Sequence, residues 1–506
     1  MVHIKDSYLN ILVCKMAVYL NPCLSLPINL AENEFEDLIQ KLKDWTIMHG
    51  GGMRSKKQYS NDSLTVVPFT LLPSVFPRSE FQKAVSIQPA LNELTHYVSN
   101  DHAFLYSCLE KTIEVDEFTR NLFNLYETVR SEGFAQRISL GMLRSDFMQE
   151  KEASGYYIKQ VEMNTIASGF GWLGIVSGDI HRFFFQQMGL LDKLKMLPEN
   201  KALQGLCSGI IKAWELFNDK DSVILIIIEN QSMNVCDQRF HEFEIARQKP
   251  ELNVIRKNLT QIANEAKLSD TKDLIVQGKK VAVVYFRAGY TPDHYHSEAE
   301  WSARLMIERS KAIKCPNIQY HLAGTKKVQQ ALATPGMLER FIKDTKKSTD
   351  IRKMFTGLYA LDLNEDGDKA VKMALDCPER FVLKPQREGG GNNLYGEDIR
   401  HKLTSCMNSK ERSAWILMDK INPPVQQNYL IRPNQDFKKN SSLCDVVSEL
   451  GIFGIILCDG DNILINEQVG HMMRSKLTSC NEGGVHAGDG VLDSPFLIDD
   501  CPMKIK

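Results

Sequence analysis

The sequence predicts an α/β protein in which helices and sheets are mixed, because two kinds of hydrophobic pattern alternate along the chain. Residues 222–229 and 279–286 are continuous, β-branched apolar runs, as expected for strands of a buried parallel sheet. Helical periodicity is clearest over residues 31–49 and 79–134. Since helical stretches separate the apolar runs, we expect crossover connections and an α/β unit over residues 222–325.

Four further strands follow from shorter patterns. Residues 139–146 predict a strand that ends in a polar turn, and residues 156–163 predict a second strand. Residues 414–418 predict another. A strand pair is expected at 451–458 and 462–466, because Asp459-Gly460-Asp461-Asn462 has the composition of a hairpin turn.

Composition restricts the class of protein. The chain has 506 residues, with 61 basic and 63 acidic side chains, so we expect two to four structural units and no nucleic-acid partner. Its 12 cysteines contain no C-x-x-C pair, which favours free thiols in a reducing, cytoplasmic compartment. No apolar run reaches about 18 residues, so no membrane helix is expected. Residues 1–25 are interpreted as an extension of unknown role, with Met16 as an alternative start.

The run Lys384 to Asn393 carries the strongest chemical signal. It places three consecutive glycines after a predicted strand and beside Lys384, Arg387 and Glu388. Glycine backbone N–H groups close around phosphates, the two cations supply charged donors, and the carboxylate can hold a metal on the same phosphates. The spacing fits neither a P-loop nor a dinucleotide fingerprint. The run therefore predicts a nucleoside triphosphate site, and the alternative is a flexible, solvated turn.

Three other clusters are candidates for the same chemistry. Glu162 and Asn164 share one face of a strand and can bind a divalent cation, unless they are only a polar strand edge. Arg474 and Lys476 precede a second glycine-rich turn, residues 482–488, and can bind a carboxylate and a phosphate, unless they lie in a surface loop. Lys326 and Lys327 stand at a helix start, where a phosphate partner would explain their charge.

Two other motifs fail. The run Asp362 to Gly367 resembles the start of a calcium loop, but Met373 occupies the position that needs a bidentate Glu, so we interpret it as an acidic turn. No G-x-S-x-G is present, and none of the 12 histidines has triad or zinc spacing.

Five long segments, in order, resemble the eukaryotic glutathione synthetase family of ATP-grasp ligases. They are Leu143 to Asp146, Gln160 to Ile166, Leu322 to Gln330, Lys384 to Tyr395 and Ser448 to Gly454, and the resemblance runs from about Pro68 to Phe496. It implies an ATP-grasp fold with an inserted parallel-sheet substrate-binding domain at 222–325. Residues 26–221 and 326–506 would form the ATP-grasp body. It also implies a homodimer that ligates γ-glutamylcysteine to glycine, with ATP cleaved to ADP and phosphate.

The resemblance also implies roles for individual residues. Arg144, at the reacting carboxylate, and Arg474, at the carboxylate of the incoming amino acid, would be catalytic. Mg²⁺ would be bound by Glu162, Asn164 and Glu388. The ATP site would comprise Glu162, Lys326, Lys384, Pro385, Gln386, Arg387, Glu388, Gly389, Gly390, Gly391, Asn392, Asn393, Tyr395, Met418, Asp419, Lys420, Ile421, Glu449, Lys476 and Glu482. The donor and acceptor sites would comprise Arg144, Ile166, Ala167, Ser168, Gly169, Ser232, Met233, Asn234, Gln238, Arg287, Ala288, Gly289, Tyr290, Arg474, Val485 and His486.

Most departures from the family pattern fall on the substrate side. Ser232 and Ala288 replace two carboxylates expected to pair with the donor's ammonium group, Gly169 replaces a Ser, and His486 replaces an Ala. On the nucleotide side Glu482 and Asp419 keep the charge. Three interpretations stay open: a glutathione synthetase with ordinary sequence drift, a paralogous ligase with another γ-glutamyl donor or acceptor, and a non-catalytic ATP-binding regulator.

Overall fold

A computed structural model describes residues 32–153, 155–434, 443–485 and 488–499. The expectations for residues 1–25 and for His486 lie outside these residues. The described chain confirms a mixed α/β fold, in which three larger sheets are flanked by helices. No helix in these ranges is both long and apolar enough to cross a bilayer.

The helices confirm the predicted periodic stretches, but the second stretch is divided into several helices. The stretch at 31–49 is one helix, and the stretch at 79–134 is four. The α-helices span Glu32–Met48, Arg78–Asn100, His102–Leu109, Thr112–Val115, Glu117–Glu132, Leu173–Gln187, Ala202–Phe217, Val235–Gln248, Leu259–Glu265, Glu298–Arg309, Ile318–Ala323, Lys326–Ala333, Met337–Phe341, Thr345–Met354, Glu365–Asp376 and Glu397–Cys406. Short 3₁₀ turns lie at Leu191–Met196, Pro292–His294, Pro378–Arg380 and Lys410–Ala414.

The largest sheet is mainly antiparallel and contains eight strands. Its two longest strands form the predicted hairpin around Gly460, but they are two to three times as long as predicted. Seven strands lie in the spatial order Leu430–Ile431, Phe69–Thr70, Gly490–Asp493, Asn462–Leu477, Cys444–Asp459, Ile138–Glu152 and Gly155–Asn164, and Gln426–Asn428 pairs with Cys444–Asp459. Buried side chains from this sheet pack against helices to form the two largest hydrophobic cores.

The predicted parallel sheet is present and takes all its strands from residues 223–315. Four strands run parallel in the order Val254–Lys257, Val223–Ile227, Lys279–Phe286 and Ile313–Cys315. Two short antiparallel strands, Leu274–Val276 and Lys267–Leu268, extend it. One face of this sheet has a mainly aliphatic core of its own, whereas side chains of the other face, such as Ile224 and Val283, belong to the largest core of the protein. The boundaries at 221 and 325 stay a prediction.

A four-stranded antiparallel sheet carries the glycine-rich run. Its order is Leu358–Ala360, Trp415–Asp419, Phe381–Pro385 and Leu394–Tyr395, so the loop that contains the three glycines connects the last two strands. Helices Glu365–Asp376 and Glu397–Cys406 cover one face of this sheet with a core of their own. The remaining strands form two two-stranded sheets, Gly52–Met53 with Thr65–Val66 and Pro495–Ile498 with Ser74–Pro77.

Two local predictions need correction. The strand predicted to end at Asp146 continues to Glu152, because residues 144–152 pair with the strand Gly155–Asn164. The acidic turn at 362–367 is partly a helix start, since the Asn364 side chain accepts from the Gly367 N–H at 2.8 Å and caps the helix Glu365–Asp376. Asp362 itself pairs with Lys327 at 2.9 Å, which accounts for its charge without calcium.

Candidate active site

The central sheet positions the charged residues of the candidate active site by strand register. Glu162 lies opposite Asp146, Asn164 lies opposite Arg144, and Arg474 lies opposite Glu449. The register shifts after Asp146, so that Phe147 pairs with Gln160 and Val161 bulges out of the ladder. The ladder is thereby interrupted at the point where Glu162 enters the site.

The bulge at Val161 is used by Lys384, the lysine that precedes the glycine-rich loop. Lys384 Nζ donates to the Val161 carbonyl at 2.8 Å, so the four-stranded sheet is tied to the central sheet at this point. Lys384 is 4% exposed, and burial lowers the pKa of its ammonium group although Glu162 opposes the shift. Any negative group that enters here would be attracted to a cation that water scarcely screens.

Lys326 joins the two carboxylates predicted to bind metal. Its Nζ lies 3.0 Å from Glu162 and 2.9 Å from Glu388. Burial raises the pKa of Glu388 to about 7, with the charge of Glu162 adding to the effect and Lys326 opposing it. Burial also disfavours charge on Glu162, but Lys326, Lys384 and Arg474 together hold the pKa of Glu162 below its usual range. Lys326 thus lies between the carboxylates rather than in either cavity wall described below.

The first cavity has a volume of about 310 Å³ and lies between the central sheet and the four-stranded sheet. Its lining includes apolar side chains, among them Val161, Val382, Met418 and Val447, and the segment Asp419 to Pro423. It also includes charged and polar side chains: Glu162, Lys384, Asn393, Tyr395, Glu449, Lys476, Glu482 and Arg474. An apolar slot beside clustered cations suits a base at one end and phosphates at the other.

The glycine-rich loop separates this cavity from a second one. Gly389, Gly390 and Gly391 all have positive φ, between 72° and 96°, a conformation that side-chain-bearing residues rarely adopt. The Gly391 N–H donates to Glu482 Oε2 at 3.1 Å, and Tyr395 donates to Glu482 Oε1 at 3.2 Å. A backbone N–H of the loop therefore already donates to a carboxylate, so the loop is able to bind an anion.

Several residues of the loop face away from the first cavity. Arg387 pairs with Asp116 at 2.7 Å, and Gln386 accepts from the Lys327 N–H at 3.1 Å. Asn392 donates to the Gly390 carbonyl. These residues and Pro385 line neither cavity, so they support the loop, and the sequence argument that Arg387 contacts a phosphate has no support in this geometry.

The second cavity, of about 330 Å³, opens at the carboxyl ends of the parallel strands, where α/β proteins commonly bind ligands. Most of its lining was predicted: Arg144, Ile166, Ala167, Gly169, Met233, Asn234, Gln238, Arg287, Tyr290, Arg474 and Val485. Ser168 instead donates to the Met142 carbonyl at 3.0 Å, and Ser232, Ala288 and Gly289 lie outside this lining. The two cavities share Glu162, Gly390, Arg474, Glu482 and Gly484.

Two arginines of the second cavity have unused hydrogen-bonding capacity. Arg474 pairs with Glu449 at 2.6 Å and Arg287 pairs with Asp237 at 3.1 Å. The Nε atoms of both arginines are buried and make no hydrogen bond to any group in the described chain. Since an unpaired buried donor is unfavourable, both guanidinium groups are suited to bind a carboxylate or phosphoryl oxygen.

Sequence reasoning missed three carboxylates of this site. Asp146 accepts from Arg144 at 2.6 and 2.8 Å and from Asn164 at 2.9 Å. Asp237 accepts from Arg287 and from the backbone N–H groups of residues 170, 172 and 173. Glu229 lines the second cavity at the end of the strand Val223–Ile227. Asp146 belongs to one of the five segments that resemble the family, so that segment was a signal for it. Glu229 stands at the end of an apolar strand, where a polar residue is ordinary, so its sequence position gave no signal.

The chain matches the family described as "Eukaryotic glutathione synthase, ATP binding domain" over residues 32–497. It is 41% identical to the glutathione synthetase of Xenopus laevis over 466 residues, covering 92% of this chain and 97% of that protein. The human glutathione synthetase is 40% identical over 470 residues, with 92% and 98% coverage. A solved apo structure of a glutathione synthetase-like effector from Globodera pallida aligns with a TM-score of 0.75 at 26% identity, covering 94% and 99% of the two chains. The chain therefore belongs to the eukaryotic glutathione synthase family of ATP-grasp ligases.

Proposed function

We propose that this protein ligates γ-glutamylcysteine to glycine, with ATP cleaved to ADP and phosphate through an acyl phosphate. The observation that carries the proposal is the junction of the two cavities. An apolar slot beside cations meets a polar donor cavity at Glu162, Gly390 and Arg474. A phosphoryl group and a carboxylate can therefore lie in contact while the two substrates remain in separate cavities. Relatives named glutathione synthetase support the choice of reaction.

The chain's own residues would act mainly by positioning and by neutralising charge. Transfer of the γ-phosphoryl group to a carboxylate brings two anions together, so nearby fixed cations lower the barrier. Arg144 would hold the donor carboxylate, because its guanidinium group is fixed by Asp146 and by the Gly169 carbonyl at 3.1 Å. Arg474, at the junction of the cavities, would hold the carboxylate of glycine beside the acyl phosphate.

The residues present fit a magnesium ion. Glu162 and Glu388 both form an ion pair with Lys326. The Asn164 amide nitrogen donates to Asp146, so the amide oxygen of Asn164 is the atom that would bind the metal. No cluster of three or more His, Cys, Asp or Glu surrounds a common point in the described ranges. Mg²⁺ usually takes one or two carboxylates together with phosphates and waters, so two carboxylates and an amide suffice. When bound, it would neutralise phosphate oxygens.

The remaining assignments complete the proposal. Lys384 and Lys476, which line the first cavity, would contact the nucleotide phosphates, and Lys326 would reach them from beside Glu162. Met418 to Ile421 with Glu449 would contact adenine and ribose. Asn234, Gln238, Arg287 and Tyr290 would bind the γ-glutamyl donor. The protein would act as a cytoplasmic homodimer, with the substrate-binding domain at residues 222–325.

The alternative is a ligase with another donor or acceptor, and one observation favours it. Ser232 and Ala288 are uncharged where the resemblance implies carboxylates for the donor's ammonium group. Their weight is limited to the surroundings of the donor cavity, because neither residue is in its lining. Gly169 carries less weight, because a Cβ there would meet the nearest Arg287 atom at an ordinary 3.4 Å, and a serine would fit.

Phosphate release separates these proposals. We would measure it with ATP, Mg²⁺ and γ-glutamylcysteine while the acceptor is glycine, β-alanine, serine or glutamate. Release that depends on glycine supports glutathione synthesis, and release with another acceptor instead supports the alternative. ATP binding without release for any acceptor would contradict both and support a regulatory role.

The metal assignment has its own test in Glu388→Gln, which keeps the shape of the side chain and removes its charge. We expect this variant to lose ATP cleavage while it keeps its fold and a cooperative thermal unfolding, because Lys326 retains Glu162 as an ion-pair partner at 3.0 Å. Glu379→Gln, on an exposed position of the same sheet region, is the matched control and should retain full activity. Near-normal activity in Glu388→Gln would show that this carboxylate does not bind the metal.

A further inference from the structure

Glu229 lies between the donor cavity and a smaller chamber of about 140 Å³ at the same edge of the parallel sheet. It follows the strand Val223–Ile227 and is half-buried. Its Oε2 accepts from Ser232 Oγ at 3.0 Å and from Gln238 Nε2 at 2.9 Å. Its Oε1 makes no hydrogen bond within the described part of the chain, so one carboxylate oxygen has capacity for a ligand.

Glu229 differs from the other carboxylates that line the donor cavity. Glu162 lies 3.0 Å from Lys326, and Glu482 accepts from the glycine-rich loop and from Tyr395. Glu229 has only neutral partners, and no Lys, Arg or His of the described residues lies within ion-pair distance of it. A partly buried carboxylate with neutral donors is poised for a cationic group, because such a pair is weakly screened.

The smaller chamber favours a cation as well. Asp293 lies in its wall with Glu229, no Lys or Arg is among its lining residues, and the basic side chains of the lining are the imidazoles of His294 and His296. His294 is in the wall too, but burial lowers the pKa of its imidazole, so it is mainly neutral near pH 7. Its Nδ1 accepts from the Gly289 N–H at 3.0 Å, which agrees with a neutral ring.

We infer that Glu229 binds the α-ammonium group of the γ-glutamyl donor and sets the preference for donors that carry this group. The inference rests on the proposed function, since that supplies the donor class. Arg287 lines the same cavity with a buried, unpartnered Nε and is suited to the neighbouring α-carboxylate. The two residues stand at the ends of adjacent parallel strands, so one amino acid head group can contact both.

The assignment of Glu229 also bears on Ser232 and Ala288, the two positions where carboxylates were expected. Ser232 stands where a carboxylate was expected, but its hydroxyl supports the carboxylate of Glu229 three residues earlier. Ala288 lies in the wall of the smaller chamber, behind Glu229. Glu229 therefore supplies a negative charge at the donor cavity although Ser232 and Ala288 are uncharged.

The test compares two donors that differ only at the α-carbon. γ-Glutamylcysteine carries the ammonium group, and glutarylcysteine has a hydrogen in its place. Binding of each is measured by calorimetry to the full chain and to Glu229→Gln. We expect the unmodified protein to prefer γ-glutamylcysteine by roughly tenfold to hundredfold, the value of one charge-assisted hydrogen bond, and Glu229→Gln to lose most of this preference.

Two further variants separate recognition from structural damage. Glu251→Gln removes an exposed carboxylate of the same sheet region and should keep the full preference. Ser232→Glu, made in the Glu229→Gln background, returns a carboxylate to the position expected from the family and should restore the preference at least in part. Restoration would show that the charge, rather than the fold around residue 229, determines the effect.

Failure of the inference and failure of the proposed function give different results. Equal binding of both donors by the unmodified protein, no binding of either, or an unchanged preference in Glu229→Gln would overturn the role of Glu229. A strong preference that disappears in Glu229→Gln, without phosphate release in the presence of glycine, would support Glu229 and contradict the ligase.

Discussion

Asp146 offers the most informative single substitution in the active site. Its side chain is fully buried, and it accepts from Arg144 at 2.6 and 2.8 Å and from Asn164 at 2.9 Å. Asp146→Asn preserves the shape but removes the charge that opposes Arg144. The new amide would also point a hydrogen at Arg144 or Asn164, which are themselves donors.

The expected magnitude follows from these contacts. Removing one partner of a buried ion pair costs about 3–5 kcal/mol, because the other charge remains buried. A displacement of Arg144 by about 1 Å would slow the reaction roughly hundredfold, since positioning carries much of the catalysis. We therefore expect a clear loss of unfolding free energy together with a large fall in kcat.

Urea unfolding and single-turnover phosphate release measure the two effects. Ser145→Ala is the matched control on the same strand, because the Ser145 hydroxyl is buried without a hydrogen-bond partner in the described chain. Its loss should be neutral or slightly stabilising. If Asp146→Asn were as stable and as active as Ser145→Ala, the proposed positioning of Arg144 would be wrong.

Three other predictions follow from single residues. Asp237→Asn should raise the KM for γ-glutamylcysteine by at least tenfold with little change in the KM for ATP, because Asp237 holds Arg287 and the backbone of residues 170–173; equal effects on both substrates would contradict it. Gly391→Ala should weaken ATP binding because its φ of 77° is unfavourable for alanine; the added Cβ would meet no atom within 4 Å, so the effect comes from the backbone alone. Gly178→Ala is the control, because a Cβ there is equally free of contacts and φ is not positive, and it should leave ATP binding unchanged. Burial lowers the pKa of His471 to about 3, so its contribution to stability is complete above pH 6.5 and is lost as the pH falls toward 3. Urea unfolding should show a loss of about 2 kcal/mol at pH 5, which His471→Phe should remove.

Local patterns were sufficient for most of the helices and strands, and they placed the glycine-rich run in the loop after a strand, while its role in nucleotide binding stays a prediction. The glycine-rich run, Lys384 and Tyr395 lie where the sequence places them, because their positions depend on one strand, one loop and one turn. The parallel sheet was also predictable, since strands buried on both faces are continuously apolar. The ends of the longest strands were not, because the extension to Glu152 depends on pairing with a neighbouring strand.

Contacts between distant segments explain the remaining differences. Arg387 pairs with Asp116, 271 residues earlier, a contact that its sequence neighbourhood did not indicate. Glu229 was missed because its importance depends on Ser232 and Gln238, which approach it only once the loop after the strand has folded. Both Arg387 and Glu229 carry a charge that suits the binding of a ligand, but contacts with residues outside their own segment determine what each side chain can bind.

Transfer of an oxygen atom from donor to phosphate tests the central claim most directly. γ-Glutamylcysteine with ¹⁸O in the cysteinyl carboxylate is incubated with the protein, ATP, Mg²⁺ and glycine, and the released phosphate is analysed by mass spectrometry. Ligation through an acyl phosphate at the junction of the two cavities predicts one ¹⁸O atom in each phosphate. Phosphate without label would show that water attacks ATP, and it would contradict the proposed reaction.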